Sequence, residues 1–227
     1  MLMEILSETL DWFCAKKPAN ISTQSLIEAL KKERSEQKFS PVYDLDDPIE
    51  GPVLFAKSLE SRASLKNAYG SDDFLFTFYA WGKYYKKLPE AWTCDLSIAW
   101  DEQKKRSYPS KNGKKTITHF SVLNVFGDYV YLKCTTHYLR KQQLQTHAHY
   151  SGVDILGDSL WTPDENLVYL EDLKKSVKNS SNQPISSGLH LYLASVEFTN
   201  LSEKIHVQIP APKSWTVLQK MLERYLA

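Results

Sequence analysis

Residues 115–138, KTITHFSVLNVFGDYVYLKCTTHY, constrain the fold of this chain more than any other stretch. Two runs rich in β-branched and aromatic residues flank Gly127-Asp128, a pair suited to a two-residue hairpin turn. Side chains alternate across a strand. Pairing Phe126 with Tyr129 therefore puts Ile117, His119, Ser121, Leu123 and Val125 on one face with Val130, Leu132, Cys134, Thr136 and Tyr138. That face is mostly apolar and is expected to be buried. The opposite face carries Thr118, Phe120, Val122, Tyr131, Lys133 and His137 and is only half polar. Such a hairpin belongs in the middle of a sheet that something else covers.

The flanking segments supply the cover. Helical spacing of Leu6, Leu10 and Phe13 predicts a helix over 3–16; Ser22 or Thr23 caps a second to about residue 37; a third spans 53–68. Strands are expected at 74–81 and 92–100, then a long polar loop or extended hairpin over 101–114. Residues 142–161 have room for one short strand and a turn at Gly152. Thr162-Pro163-Asp164-Glu165 reads as a capping box opening a helix to Lys178. A second hairpin joins 189–198 to 203–209, with Val196 opposite Ile205, and Ser214 caps a last helix. Tight turns in place of helical crossovers imply an α+β fold with a mainly antiparallel sheet. It is built on the central hairpin 115–138 and the second hairpin 189–209, with N-terminal helices and a C-terminal helix packed on it. The connector 39–52, FSPVYDLDDPIEGP, marks a candidate boundary between a helical segment 1–40 and an α+β domain 52–227. The alternative is one domain, 1–227.

Composition narrows the function. Hydrophobic residues are 42% and charged residues 24%, which excludes wholesale disorder. Only eight glycines are present and no GxGxxG or GxxxxGK[ST] string, which argues against a glycine-rich phosphate loop. A net charge of +1 gives no global attraction for nucleic acid, so any such affinity must come from a local patch. Cys14, Cys94 and Cys134 are odd in number and far apart, forming neither a disulfide framework nor a zinc pattern. The acid-interrupted start MLMEILSETLDW does not read as a signal peptide, and no apolar run has the length of a membrane span. A cytoplasmic location is expected.

The sharpest polar constellation is His147-Ala-His149 followed by Asp154. On a strand, residues two apart share a face, so both imidazoles could reach one metal ion, with the carboxylate closing the site. The string resembles the first cupin motif, and Ser151-Gly-Val-Asp154 resembles half of the JAMM metalloprotease motif. Neither resemblance extends beyond residues 147–154, and no family is assigned on it. Asp95 with Glu102-Gln-Lys104 resembles the parts of a PD-(D/E)xK nuclease site, but they share one strand and its exit. His119-Phe-Ser121 resembles one half of a two-histidine phosphoesterase, and the chain has no second half. No cofactor is expected, save a divalent metal if the histidine site is real.

A basic and aromatic signal remains. Lys104, Lys105, Arg106, Lys111, Lys114 and Lys115 surround Tyr108, with no acid between 104 and 115. Upstream, Tyr79, Trp81, Tyr84 and Tyr85 sit beside Lys83, Lys86 and Lys87. Cations neutralise phosphates and flat rings stack on bases, so Lys83–Lys87 and Lys104–Lys115 together form a candidate nucleic-acid or polyanion surface. The same aromatics suit a protein partner, in an adaptor or assembly subunit, with Asp44, Asp46, Asp47 and Glu50 as an acidic rim. The reading is thus a soluble binding protein, for nucleic acid or for a protein. A metal-dependent enzyme using His147, His149 and Asp154 is the alternative, and whether the chain is an enzyme at all stays open.

Overall fold

The computed structural model describes residues 3–34, 38–161, 167–173, 184–185, 187–200 and 202–226, with the side chains of residues 171 and 172 left aside. In chain order the elements are β1 (Ile5–Glu8), β2 (Trp12–Lys17), α1 (Thr23–Glu33), β3 (Ser40–Pro41), β4 (Gly51–Ala56), α2 (Leu59–Ala68) and β5 (Phe74–Tyr84). Then follow β6 (Ala91–Cys94), β7 (Ile98–Asp101), β8 (Arg106–Pro109), β9 (Thr118–Phe126), β10 (Tyr129–Thr136), α3 (Gln143–Tyr150) and β11 (Val153–Ile155). The last are α4 (Leu170–Leu173), β12 (Leu191–Asn200), β13 (Glu203–Gln208) and α5 (Lys213–Leu226). The fold is α+β, and every strand pairing is antiparallel among the named strands.

The large sheet runs in the order β13-β12-β5-β10-β9-β6, with β11 also paired to β5. Its central strand, β5, alternates between two cores. Phe74, Phe76, Phe78 and Ala80 enter one cluster with Trp12, Phe13 and Phe55 of the N-terminal strands. Trp81 enters the other, with Trp215, Leu218 and Leu222 of α5. A sheet apolar on both faces needs a layer on each, and β1–β4 and α5 supply them. Trp12 meets Phe198 of β12 edge-on, ring centroids 5.1 Å apart, so the first strands share the core of the large sheet.

The segment 3–16 is a hairpin and not a helix. Leu10, in the helical stripe, is 94% exposed at the turn, whereas the consecutive Trp12, Phe13, Cys14 and Ala15 are all buried. Burial at successive positions needs cover on both faces, which a strand between β1 and β4 receives. Residues 51–56 are likewise buried at every position, so the predicted third helix begins only at Leu59, behind the capping box of Ser58 and Ser61. Residues 162–166 and 174–178 of the predicted fourth helix lie outside the described residues; of the described part, 167–169 are not helical, Tyr169 bridging to Pro184, and only Leu170–Leu173 forms α4.

The central hairpin forms as expected, with Phe126 paired to Tyr129 across Gly127-Asp128 and a φ of +55° at Gly127. Positive φ at the first turn position is what glycine supplies without steric cost. The expected buried face of β9 is corrected, however. Tyr131 pairs with Asn124 but Leu132 with Val122, a bulge that reverses the strand's faces toward its start. Thr118 and Phe120 are therefore buried, while Ile117 is 51% exposed and His119 faces solvent; Leu123 and Val125, also expected inside, are exposed at the bulge and beyond it toward the turn. In the second hairpin Val196 pairs with Val207, two residues from the predicted register, so every side chain keeps its face.

Candidate active site

Residues 143–150 form the helix α3, and this overturns the predicted metal site. Side chains two apart on a helix diverge by about 200°, so His147 and His149 point to different places. His147 is buried, and its Nε2–H lies 2.9 Å from both the Leu96 carbonyl and the Thr116 hydroxyl, while Nδ1 accepts from the Thr118 hydroxyl at 2.9 Å. Both nitrogens are engaged, and burial holds the ring below its ordinary pKa, so it is a neutral core histidine. His149 pairs instead with Asp154 of β11, Nδ1 to Oδ1 2.6 Å, and stacks on Trp161 with centroids 4.1 Å apart. Among the described residues no group of three His, Cys, Asp or Glu side chains is placed to hold a metal.

What α3 does is frame a cleft with its N-terminus. Gln143 donates to the Ile117 carbonyl and to the hydroxyls of Thr118 and Thr136, pinning the helix start to β9 and β10. Gln142 receives the Ser107 backbone N–H at 2.9 Å and donates to the Lys105 carbonyl at 3.1 Å, which fixes the β7–β8 hairpin alongside. The cleft has a volume of about 480 Å³ between this hairpin (Trp100, Lys105), α3 and its N-cap (Gln145 and Gln142), the connector (Asp44, Asp46, Asp47) and the loop carrying Asp158. Gln145 is buried there with its Oε1 unpartnered.

Asp46 lines both the cleft and a hollow of about 110 Å³, whose walls are apolar on one side (Leu45, Ile49, Phe78, Leu139 and Leu144) and charged on the other (Asp44, Arg140 and Lys141). Its Oδ2 accepts the Gln142 backbone N–H at 2.7 Å. Burial raises its pKa to about 6 from 3.8; that hydrogen bond and Lys141 oppose the shift, whereas Asp44 and Asp47 add to it. Asp158 is similarly raised to about 6 by burial, with Oδ1 held by the Leu160 N–H at 2.9 Å and Oδ2 unpartnered. A desolvated, positioned carboxylate beside a small, partly apolar hollow is a base or nucleophile in waiting. Chemistry that uses ionised Asp46 should rise with pH through about 6 and level off above it, read as a pH profile of the rate. A flat profile between pH 5 and 8 would remove Asp46 from the mechanism.

The basic residues predicted from sequence fall into two groups. Lys104, Lys105, Arg106, Tyr108, Lys111, Lys114 and Lys115 lie on or beyond the β7–β8 hairpin, at the cleft's side. Lys105 lines the cleft and pairs with Glu102 at 3.0 Å; Arg106 lies 4.5 Å over the Trp161 ring. Lys83, Tyr84, Tyr85, Lys86 and Lys87 sit near the other end of α3, where Lys86 and Lys87 line an open groove with Trp92 and Tyr150. Tyr84 donates to the Gly127 carbonyl and Tyr85, 59% exposed, to the His149 carbonyl.

Of the aromatics read as a protein surface, Trp81 is a core residue, Tyr79 and Tyr84 are half-buried, and Tyr85 and Tyr108 are exposed but far apart in sequence, so no continuous aromatic face supports the adaptor reading. The acidic connector, read as a rim, is the floor of the cleft. Val42 and Tyr43 before its acids, and Leu45 and Ile49 among them, are buried. Apolar residues interleaved with acids anchor carboxylates in place, which a mobile loop does not do.

A sequence model described as RNA pseudouridylate synthase matches residues 11–150. The ribosomal large subunit pseudouridine synthase C of Rickettsia conorii is 30% identical over 164 residues, which cover 67% of this chain and 54% of that protein. The chain thus spans about half the length of the curated relatives it matches. Among solved structures, human RNA pseudouridylate synthase domain containing 4 superposes with a TM-score of 0.73 at 16% identity, covering 97% of this chain and 93% of that one. Human RNA pseudouridylate synthase domain containing 1 gives 0.72 at 15%, covering 93% and 84%. These two likenesses establish the fold.

Proposed function

The chain belongs to the RNA pseudouridylate synthase family, and from that premise we propose that it isomerises uridine in RNA to pseudouridine with Asp46 as the catalytic carboxylate. The conversion breaks the N1–C1′ bond, turns the base, joins C5 to C1′ and moves a proton from C5 to N1. Substrate and product are isomers, so the balance calls for no oxidant, reductant or donated group, and members of the family need no cofactor. Metal-dependent chemistry at His147, His149 and Asp154 is thereby set aside.

The observation that carries the proposal is geometric: the Gln142 N–H holds the Asp46 carboxylate at a hollow walled by Leu45, Ile49, Phe78 and Leu144, with Arg140 and Lys141 opposite, and burial there raises its pKa to about 6. Above pH 6 it is ionised. As N1 leaves, it stabilises the cationic ribose by ion pairing or covalent capture, and it then accepts the C5 proton. The hollow takes a flat uncharged base, and the Gln142 N–H keeps Oδ2 aimed. Phosphates run outside, along Lys104, Lys105, Arg106, Lys111, Lys114 and Lys115, with Lys83, Lys86 and Lys87 serving a more distant part of the strand. The name of the Rickettsia relative points to ribosomal large-subunit RNA as the substrate to try first. Three free, buried cysteines fit a reducing compartment such as the cytoplasm.

A second reading has one observation in its favour. Asp44 and Asp47 crowd Asp46 with like charge, which favours its protonated, unreactive form. The chain would then bind RNA without isomerising it. An unmodified large-subunit ribosomal RNA transcript carrying tritium at uridine C5 separates the two. Isomerisation releases tritium to water and leaves pseudouridine in the digest. Salt-dependent binding without release supports the second reading, and the absence of both binding and release would defeat both.

A further inference from the structure

Beside the acidic cleft lies a pocket of opposite character. Its volume is about 410 Å³, and its lining residues include Lys114, Arg140 and Lys141 but no carboxylate; Arg140 and Lys141 also line the hollow at Asp46, so Lys114 is the cation peculiar to this pocket. The cleft, by contrast, is lined by Asp44, Asp46, Asp47 and Asp158 against Lys105 and Lys141. Trp100 and Lys141 line both, with the Lys141 ammonium 4.0 Å over the Trp100 ring, so this pair is the partition.

The cations are built into place. Lys114 exchanges two backbone hydrogen bonds with Ile98, at 3.0 and 2.9 Å, which sets it at the pocket wall. The Arg140 guanidinium lies 4.0 Å over the Tyr138 ring, with its Nε buried and unpartnered. The neighbouring acid, Glu102, is occupied by Lys105.

We infer that the pocket walled by Ile98, Trp100, Lys114, Arg140 and Lys141 is a phosphate subsite, taking the RNA phosphodiester next to the nucleotide held in the cleft. The inference rests on RNA being the substrate. An acid-rich cleft repels a phosphate and accepts a neutral base and sugar; a cationic pocket across one indole does the reverse. The register of the strand follows: base on the Asp46 side of Trp100, phosphate on the Lys114 side, with Arg140 and Lys141 lining both the pocket and the Asp46 hollow and so linking the two. Arg140 supplies a planar fork matched to phosphate oxygens, and Lys114 and Lys141 supply point charges.

The test measures affinity for the unmodified large-subunit ribosomal RNA transcript across a salt series, for wild type, Lys114→Gln, Arg140→Gln and the distant Lys204→Gln. Lys114→Gln and Arg140→Gln should each weaken binding about five- to tenfold and flatten the plot of log affinity against log salt by about one unit. Lys204→Gln should change neither. Lys114 is exposed, so its replacement leaves the fold intact, and tritium release by that variant should show a raised KM at unchanged kcat. Wild-type affinity and slope in both pocket variants, with RNA still bound, would overturn the subsite alone. A wild-type chain that binds no RNA would overturn the RNA assignment, and the subsite with it.

Discussion

Asp46→Asn is expected to lower tritium release by about 10³-fold or more while leaving RNA affinity near wild type. The substitution keeps size and shape. It also keeps an oxygen to accept the Gln142 N–H, now 2.7 Å from Oδ2, so the cleft should retain its form. What is lost is the negative charge and the proton acceptor. The same variant should be more stable than wild type at neutral pH, and the sign follows from linkage. The Asp46 pKa is about 6 in the folded chain against an ordinary 3.8, so between those values the folded chain binds the extra proton. Ionisation above pH 6 therefore penalises the fold, by about 1–3 kcal/mol at most, and the penalty disappears as pH falls toward 4. Thermal melts of the two proteins should differ at pH 7.5, with Asp46→Asn higher, and converge near pH 4. A variant that is inactive and also less stable at pH 7.5 would mean that Asp46 holds the connector in place and does no chemistry.

A carboxylate that costs stability where it is ionised is hard to see in sequence, because its role depends on distant neighbours. Asp46 becomes a candidate only when Phe78 of β5 and Leu144 of α3 close the hollow around it and the Gln142 N–H reaches it. The local string FSPVYDLDDPIEGP shows prolines and acids, which argue equally for an exposed linker. The hairpins were legible for the opposite reason: alternation, β-branched content and Gly127-Asp128 are local properties. The bulge in β9 was not, since it depends on pairing with β10 and leaves no residue that demands it. The histidines misled through secondary structure. QLQTHAHY has neither a capping residue nor a clear apolar stripe, and its N-cap, Gln142, adopts a left-handed φ of +52°. α3 is held by Gln143 and His147 bonding to β-strands and loops, a tertiary cause that overrides weak local preference. The basic stretch 104–115 was legible as charge, but its division from the acids by Trp100 was not.

Gly157→Ala should be the most damaging single-methyl change at the cleft. Gly157 has a φ of +71°, and a Cβ there would stand 1.9 Å from the Gly188 carbonyl oxygen. The obstacle is backbone, which no rotamer change relieves, so the strand of chain carrying Asp158 must move away from Gly188. Left-handed φ alone costs an alanine about 1 kcal/mol, and displacing a buried segment raises the total to about 2–4 kcal/mol. Gly188→Ala provides the internal control. Its φ of +82° carries the same conformational strain, but no atom lies within 4 Å of the added methyl. Denaturant unfolding should therefore rank Gly157→Ala well below Gly188→Ala, with the latter about 1 kcal/mol below wild type. The rate of tritium release should follow the same order, since Gly157 and Gly188 both line the cleft and only the first forces its wall outward. Equal costs at the two positions would show that the chain tolerates separation there, and that their close approach does not set the width of the cleft.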